Sequence, residues 1–338
     1  MTYSAGSTIL AADYNGFVGP TASGGTAGAN LNDIWNVGST DKGWGQTVVT
    51  NPSAGNTVTA TQWATLVNNI STAASQTGTT ITSRTPPVAG NTISILAALN
   101  TDLTNCTTNR GNAVASGTQY GTFTGTTSQV NPTGSGQTTW TITFTHTVTF
   151  PSADAARYFW NAGGIVKLQY GKSSTGTDID ADWNTFAGQC GSINITGRVN
   201  SASQTIAGQA YTGTTRLGGT GGTETTLATT TGWYNLTGTP TTLFQLNNAA
   251  SPYTGEYIRT TATQTSTTVL TLVTTWFQPA VTAPATTCNI SGGTAVTSPA
   301  TSIGAATAPT TLVTYVPPSS TYLTTAAWGT PTIAASVA

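Results

Sequence analysis

Between residues 140 and 150 the chain alternates without a break. Trp140, Ile142, Phe144, His146, Val148 and Phe150 fall on one side, and Thr141, Thr143, Thr145, Thr147 and Thr149 on the other. A period of two marks a half-buried strand, and β-branched threonine suits its solvent face. Gly255 to Gln264 and Thr267 to Phe277 read as a hairpin joined by a Ser/Thr turn. Shorter strands are predicted at Ile165–Tyr170, Ser192–Val199, Thr241–Leu246 and Thr311–Val316.

Ahead of residue 115 the period is that of a helix. Thr59 and Gln62 stand at capping-box spacing, and Trp63, Leu66, Val67 and Ile70 then follow at i, i+3, i+4, i+7. A second stripe holds Leu96, Leu99, Leu103 and Cys106, with Asn91 or Thr92 as cap and Pro86-Pro87 as breaker. A third, shorter helix is predicted from Thr8 to Tyr14, stopped at Gly16. In the second half one helix is predicted, Ala153 to Trp160, capped by Ser152 with Asp154 in its first turn. It should lie across one end of a sandwich with Phe159 and Trp160 packed downward.

The expected fold is therefore mainly β. A small, partly helical N-terminal module (residues 1–115) serves attachment and oligomerisation, and an antiparallel β-sandwich (116–280) follows. The Thr/Ala/Pro-rich remainder (281–338) is expected to run extended over the sandwich or a neighbouring subunit. Short helices between Gly-rich connectors bury little apolar surface by themselves. The stripes Trp63/Leu66/Val67/Ile70 and Leu96/Leu99/Leu103 are thus expected to meet neighbouring copies or another partner.

Composition sharpens this picture. Only 6% of the 338 residues are charged, with nine Lys/Arg against ten Asp/Glu and a net charge of −1. Such a chain could be disordered, but 9 Trp, 11 Tyr and 8 Phe in patterned stretches argue for a fold. There is no basic stripe to bind a phosphate backbone, so nucleic acid is not an expected partner. A net charge near zero favours association, which suits a homo-oligomer. No run approaches the roughly 18 apolar residues of a membrane span, and the start carries no secretion pattern. Synthesis in a host cytoplasm is the matching expectation.

Candidate chemistry is sparse. His146 is the only histidine, and on an apolar strand face it reads as a packed residue, not a nucleophile's base or a metal ligand. Asp178, Asp180 and Asp182 could share one face of an extended segment or one calcium loop. The helix–loop–helix calcium pattern fails, however, because its Gly and Glu positions hold Trp183 and Gln189. The glutamates are Glu224 and Glu256 alone, a poor supply for the paired acids of glycoside hydrolysis. Trp183, Trp233 and Tyr234 would stack on sugar rings if exposed, although such residues are more often core. Cys106, Cys190 and Cys288 are odd in number and widely spaced. The sequons at Asn69, Asn105, Asn194, Asn235 and Asn289 are a chance product of abundant Thr. No enzyme activity and no cofactor are expected.

Two blocks resemble a recurrent family of virion structural proteins from tailed phages, cyanophages among them. The first spans residues 1–76 and includes Ser7-Thr-Ile-Leu-Ala-Ala-Asp13-Tyr-Asn15, Gly43-Trp-Gly45-Gln46 and Val58-Thr-Ala-Thr-Gln62-Trp63. The second, more specific, is Thr149-Phe-Pro151-Ser-Ala-Asp154-Ala-Ala-Arg157-Tyr158-Phe159-Trp160-Asn161-Ala-Gly163-Gly164. The family often has another aromatic in place of Trp44 and Trp160. The resemblance implies a tail or fibre component of the virion, contacting other virion proteins and its own copies. Threefold symmetry is the expectation by analogy with phage fibres. Rival readings are a capsid decoration protein and an adhesin for a host surface glycan.

Overall fold

The computed structural model describes residues 11–20, 29–91, 96–114, 124–129, 139–172, 178–197, 203–250, 253–280 and 309–338; for 96–97, 124–129 and 178–179 it describes the backbone alone. Four helices come first: α1 (Ala11–Val18), α2 (Leu31–Trp35), α3 (Ala60–Thr77) and α4 (Leu96–Asn109). Then follow β1 (Thr124–Gln129), β2 (Trp140–Thr149), α5 (Ala153–Asn161), β3 (Ile165–Gly171), α6 (Asp178–Cys190) and β4 (Ser192–Ile195). The remaining strands are β5 (Gln204–Ile206), β6 (Gln209–Tyr211), β7 (Thr214–Leu217), β8 (Glu224–Leu227), β9 (Thr241–Asn247), β10 (Tyr257–Ser266), β11 (Val269–Gln278), β12 (Thr310–Val316) and β13 (Thr332–Val337).

Helix α3 starts where Thr59 and Gln62 exchange the two capping-box bonds, and it ends at Gly78, whose φ of 67° gives the left-handed turn-out. Helix α1 does not stop at Gly16. Burial of Phe17 and Val18 carries it one turn further, and Gly19 (φ 80°) takes the terminating position. The residues expected before Ala11 lie outside the described set. Helix α5 has its predicted cap, Ser152 accepting from the amide of Ala155 at 3.0 Å.

The strands form two antiparallel sheets, in the orders β1-β12-β3-β4-β7 and β13-β2-β11-β10-β9-β8. Strand β2 pairs in unbroken register with β11 and β13, so its alternation survives along the whole length. Trp140, Ile142, Phe144, His146 and Val148 are buried, and Phe150 just beyond the strand is buried too. The sheets face each other across an aromatic layer. Tyr170 of β3 stacks on Phe244 of β9 at 6.0 Å. Its hydroxyl meets Thr260 at 2.8 Å, and Thr260 meets Thr274 at 2.9 Å. The indole of Trp276 donates to Thr311 at 3.0 Å. Polar groups inside the sandwich therefore pair with one another across the gap.

Three expectations need correction. The second half holds another helix besides α5: α6, which occupies the segment expected to be extended or a calcium loop. Residues 310–316 form the strand predicted at Thr311–Val316, but within a sheet and not over the sandwich: β12 is an interior strand between β1 and β3, and β13 is an edge strand. Residues 281–308 fall outside the described set. Finally, the helical module does not leave its apolar stripes for a neighbour. Trp63, Leu66, Ile70, Leu99 and Leu103 are all buried within the single chain, in a core continuous with that of the sandwich, and Val67 is buried as well. Tyr14 and Phe17 of α1 pack on Trp63 at 5.2 and 6.4 Å, which explains where one stripe goes. The side chain of Leu96 is not among those described.

Candidate functional site

The two blocks that carry the family resemblance meet in space. Residues 36–46 form a loop held by Gly45 N–H to the Asn36 carbonyl at 2.8 Å and Gln46 N–H to that of Trp35 at 2.9 Å. Helix α5 docks against this loop through Asn161, which is buried. The Asn161 amide donates to the carbonyls of Lys42 and Gly43 at 2.8 and 3.0 Å. Its side-chain oxygen accepts from the Tyr234 hydroxyl at 2.6 Å, and its main-chain carbonyl accepts from the Trp44 indole at 3.1 Å. Arg157 donates to the carbonyls of Val37 and Lys42 and lies over the Tyr158 ring. Gln46 accepts from Thr324 backbone and hydroxyl at 2.8 and 2.9 Å. A side chain at Gly45 would collide with the ring of Tyr158, 2.5 Å away, and φ there is 66°. The Gly-Trp-Gly-Gln order is thus a docking order: small where Tyr158 passes, a donor for Asn161, an amide for Thr324.

A second polar cluster closes one end of the sandwich. Strand pairing sets Glu256, Asn248 and Gln278 side by side where β9, β10 and β11 meet. Helix α6 covers them. Asp180, fully buried, forms an ion pair with Lys172 at 2.7 Å. Asp182 faces another way: the Asn248 amide donates to it at 2.6 Å and to Glu256 at 2.9 Å. The Trp183 indole donates to Gln278 at 2.7 Å. The one Asn248 amide thus brings the Asp182 and Glu256 carboxyls together. Burial above all, with the neighbouring Asp182 adding to it, pushes the Glu256 carboxyl up to about 9, while Asn248 and Gln278 oppose the shift. Burial also raises Asp182.

The three aspartates picked out in the sequence are therefore not one site. On a helix, residues i and i+2 point well apart, so Asp180 and Asp182 serve different partners. The Asp178 side chain lies outside the described set. Among the described residues, no three His, Cys, Asp or Glu side chains converge as a metal would require. His146 is fully buried at mid-strand, opposite Leu272 and Ala335. Trp183 and Trp233 are buried, Trp233 in a stack with Trp160 at 5.6 Å, so neither offers a face to a sugar. Tyr234 is tied to Asn161, and burial raises its phenol well above the ordinary value. Cys106 and Cys190 are buried free thiols, and Cys288 is outside the described residues. Glu224 pairs with Arg216 at 2.5 Å.

Sequence reasoning missed Asn161 and Asn248, two amides that organise these clusters. Asn161 stood inside the more specific block, a signal that was there; Asn248 had none. A recess of about 280 Å³ lies on the outer face of the five-stranded sheet, under β6. Lys167, Asn194, Tyr211 and Leu217 help to line it, and burial lowers the Lys167 ammonium. Among the described residues no helix is long and apolar enough to cross a membrane. No family model, curated protein or solved structure matches the chain.

Proposed function

We propose that the chain is a structural protein of a tailed bacterial virus, a tail or fibre component that works by assembling into the particle and carries out no catalysis. The observation that carries this reading is the joint around Asn161. The residues on which the resemblance to virion proteins rests, Gly43 to Gln46 and Thr149 to Gly164, hold two parts of the chain together. A role in architecture is what such a joint serves, since its polar groups bond one another.

Homo-oligomeric assembly belongs to the proposal, with support different from that first expected. The helical stripes are occupied, so the remaining support is the near-neutral, Thr-rich surface and the sheet edges. Edge strand β13, Thr332-Ile-Ala-Ala-Ser-Val337, carries no charge and no proline to discourage pairing. The glycan-adhesin reading loses Trp183 and Trp233. It keeps the recess beside Lys167, where an ammonium, an amide and an aromatic ring line one opening.

Localisation of the chain in intact particles by electron microscopy with a bound antibody tests the proposal. Label on the tail or its fibres is the expected result. Label over the capsid shell would make it a decoration protein, and its absence from particles would overturn the reading. Carbohydrate binding abolished by Lys167→Ala would move the emphasis to receptor recognition.

A further inference from the structure

We propose that the end of the sandwich under α6 is closed by one proton shared between Asp182 and Glu256, and that loss of this proton releases α6 from the strands. The geometry requires the proton before any titration is considered. Glu256 is fully buried, and its Oε2 has the Asn248 amide. Its Oε1 is buried too and meets no donor. Two carboxylates in this position would leave that oxygen an orphaned acceptor beside a like charge. A carboxylic acid at Glu256 removes the like charge and supplies a donor to the neighbouring Asp182 carboxylate. The pair then behaves as a single titrating unit with one proton, consistent with the upward shift of both groups.

A metal ion is the other way to reconcile two buried acids, and the arrangement is wrong for it. Asn248 turns its NH₂ toward both carboxyls, and its oxygen accepts from the amide of Ala250 at 2.9 Å. Hard cations need the oxygen end. The remaining polar groups do not neutralise a second anion. From α6, Asp180 is engaged with Lys172, itself from the end of β3. From β11, Gln278 accepts from Trp183, and its side chain opposes the upward shift of Glu256 as a neutral hydrogen-bonding partner, not as a cation. The β9–β10 connection brings Asn248 and Tyr253, whose carbonyl takes the Glu256 amide at 3.2 Å. On β10, Tyr257 and Arg259 alternate to the opposite face from buried Ile258. Among the described residues Glu256 thus faces no cation of its own when it ionises.

Ionisation puts two charges across the contact between α6 and the β9–β10 connection. Trp183 is the next residue along α6 and packs on Trp140 and Trp276 at 5.4 Å each. Movement of α6 therefore disturbs that indole cluster, which near-ultraviolet circular dichroism reads. Asp182, half-exposed, gives hydroxide its route in.

The test follows the full chain from neutral pH to about pH 10. Expected are a reversible loss of the aromatic signal in the wild type and its absence in Glu256→Gln, which keeps an un-ionisable donor in place. Infrared spectroscopy at neutral pH should show a buried un-ionised carboxyl that Glu256→Gln removes. Should that variant not fold, Asp182→Asn carries the same comparison. The proposal is overturned if the wild type has no such carboxyl at neutral pH, or if the substituted chain shows the same transition. Loss of the carboxyl signal on adding calcium chloride at neutral pH also overturns it, because the pair would then be a cation site.

Discussion

Trp44 and Asn161 are joined by an indole-to-carbonyl hydrogen bond of 3.1 Å across 117 positions of the chain. The Asn161 side chain completes the same joint with bonds to Lys42, Gly43 and Tyr234. Replacing Asn161 by Ala takes the side-chain donor from the Gly43 carbonyl and leaves the Lys42 carbonyl and the Tyr234 phenol with their Arg157 contacts alone, in a buried setting. Each such group costs about 1–3 kcal/mol, not all additive. Asn161→Ala should lower stability by about 3 kcal/mol, and a urea titration measures it. In a double-mutant cycle with Tyr234→Phe, the coupling should be at least about 0.5 kcal/mol; a null coupling would detach Tyr234 from the joint.

Leu103 and Ile70 provide a direct check on where the helical stripes go. Both are buried within the single chain. Leu103→Ala and Ile70→Ala should each destabilise by about 2–5 kcal/mol. Sedimentation should show the same assembly state for the folded variants as for the wild type. A folded chain that dissociates on either substitution would return the stripe to a subunit interface.

The dependence of stability on pH has a definite sign at Glu256. The group is raised from 4.5 to about 9 in the folded chain. Between those values the folded chain keeps a proton that the unfolded chain has released, so stability falls as pH rises. The contribution is complete below about 4.5 and lost above about 9. Urea midpoints collected across this window should decline in the wild type and flatten in Glu256→Gln. Equal slopes in the two proteins would assign the decline elsewhere.

Burial pushes the Cys106 thiol to about 11 and the Cys190 thiol to about 12. Both are buried, and thiolate is the reacting form. In a Cys288→Ser background, a thiol reagent at neutral pH should label neither residue until denaturant is added. Rapid labelling of the native chain at either position would show that its helix opens.

Much of the fold was legible because single elements announce themselves. The Thr alternation of residues 140–150 and the Thr59/Gln62 box each became the element expected of them. Helix α6 was legible too, but a stronger-looking pattern hid it. Trp183, Phe186, Ala187 and Cys190 recur at i, i+3, i+4, i+7, and all are buried. The alternating aspartates in front of them suggested period two instead. What the sequence withheld is partnership. An apolar stripe on α3 says that a face is buried and is silent about which surface buries it. Asp182 and Glu256 meet only because α6 folds over the end of β10, and nothing local to either residue records that.

Strand β12 sits between β1 and β3, pairing Thr310 with both Gln129 and Gly171. Its place in the sheet is central and its place in the sequence is late. A nascent chain reaches residue 310 only after roughly 15–60 s of synthesis at about 5–20 residues per second. Until then β3 lacks a neighbour on that side, and β1 has nothing to pair with in this sheet. The sheet therefore closes after, and not during, most of translation, and closure over such sequence separations is slow. A chain interrupted before residue 310 keeps an open slot shaped for one strand, and the β12 of an intact copy is the strand that fits it.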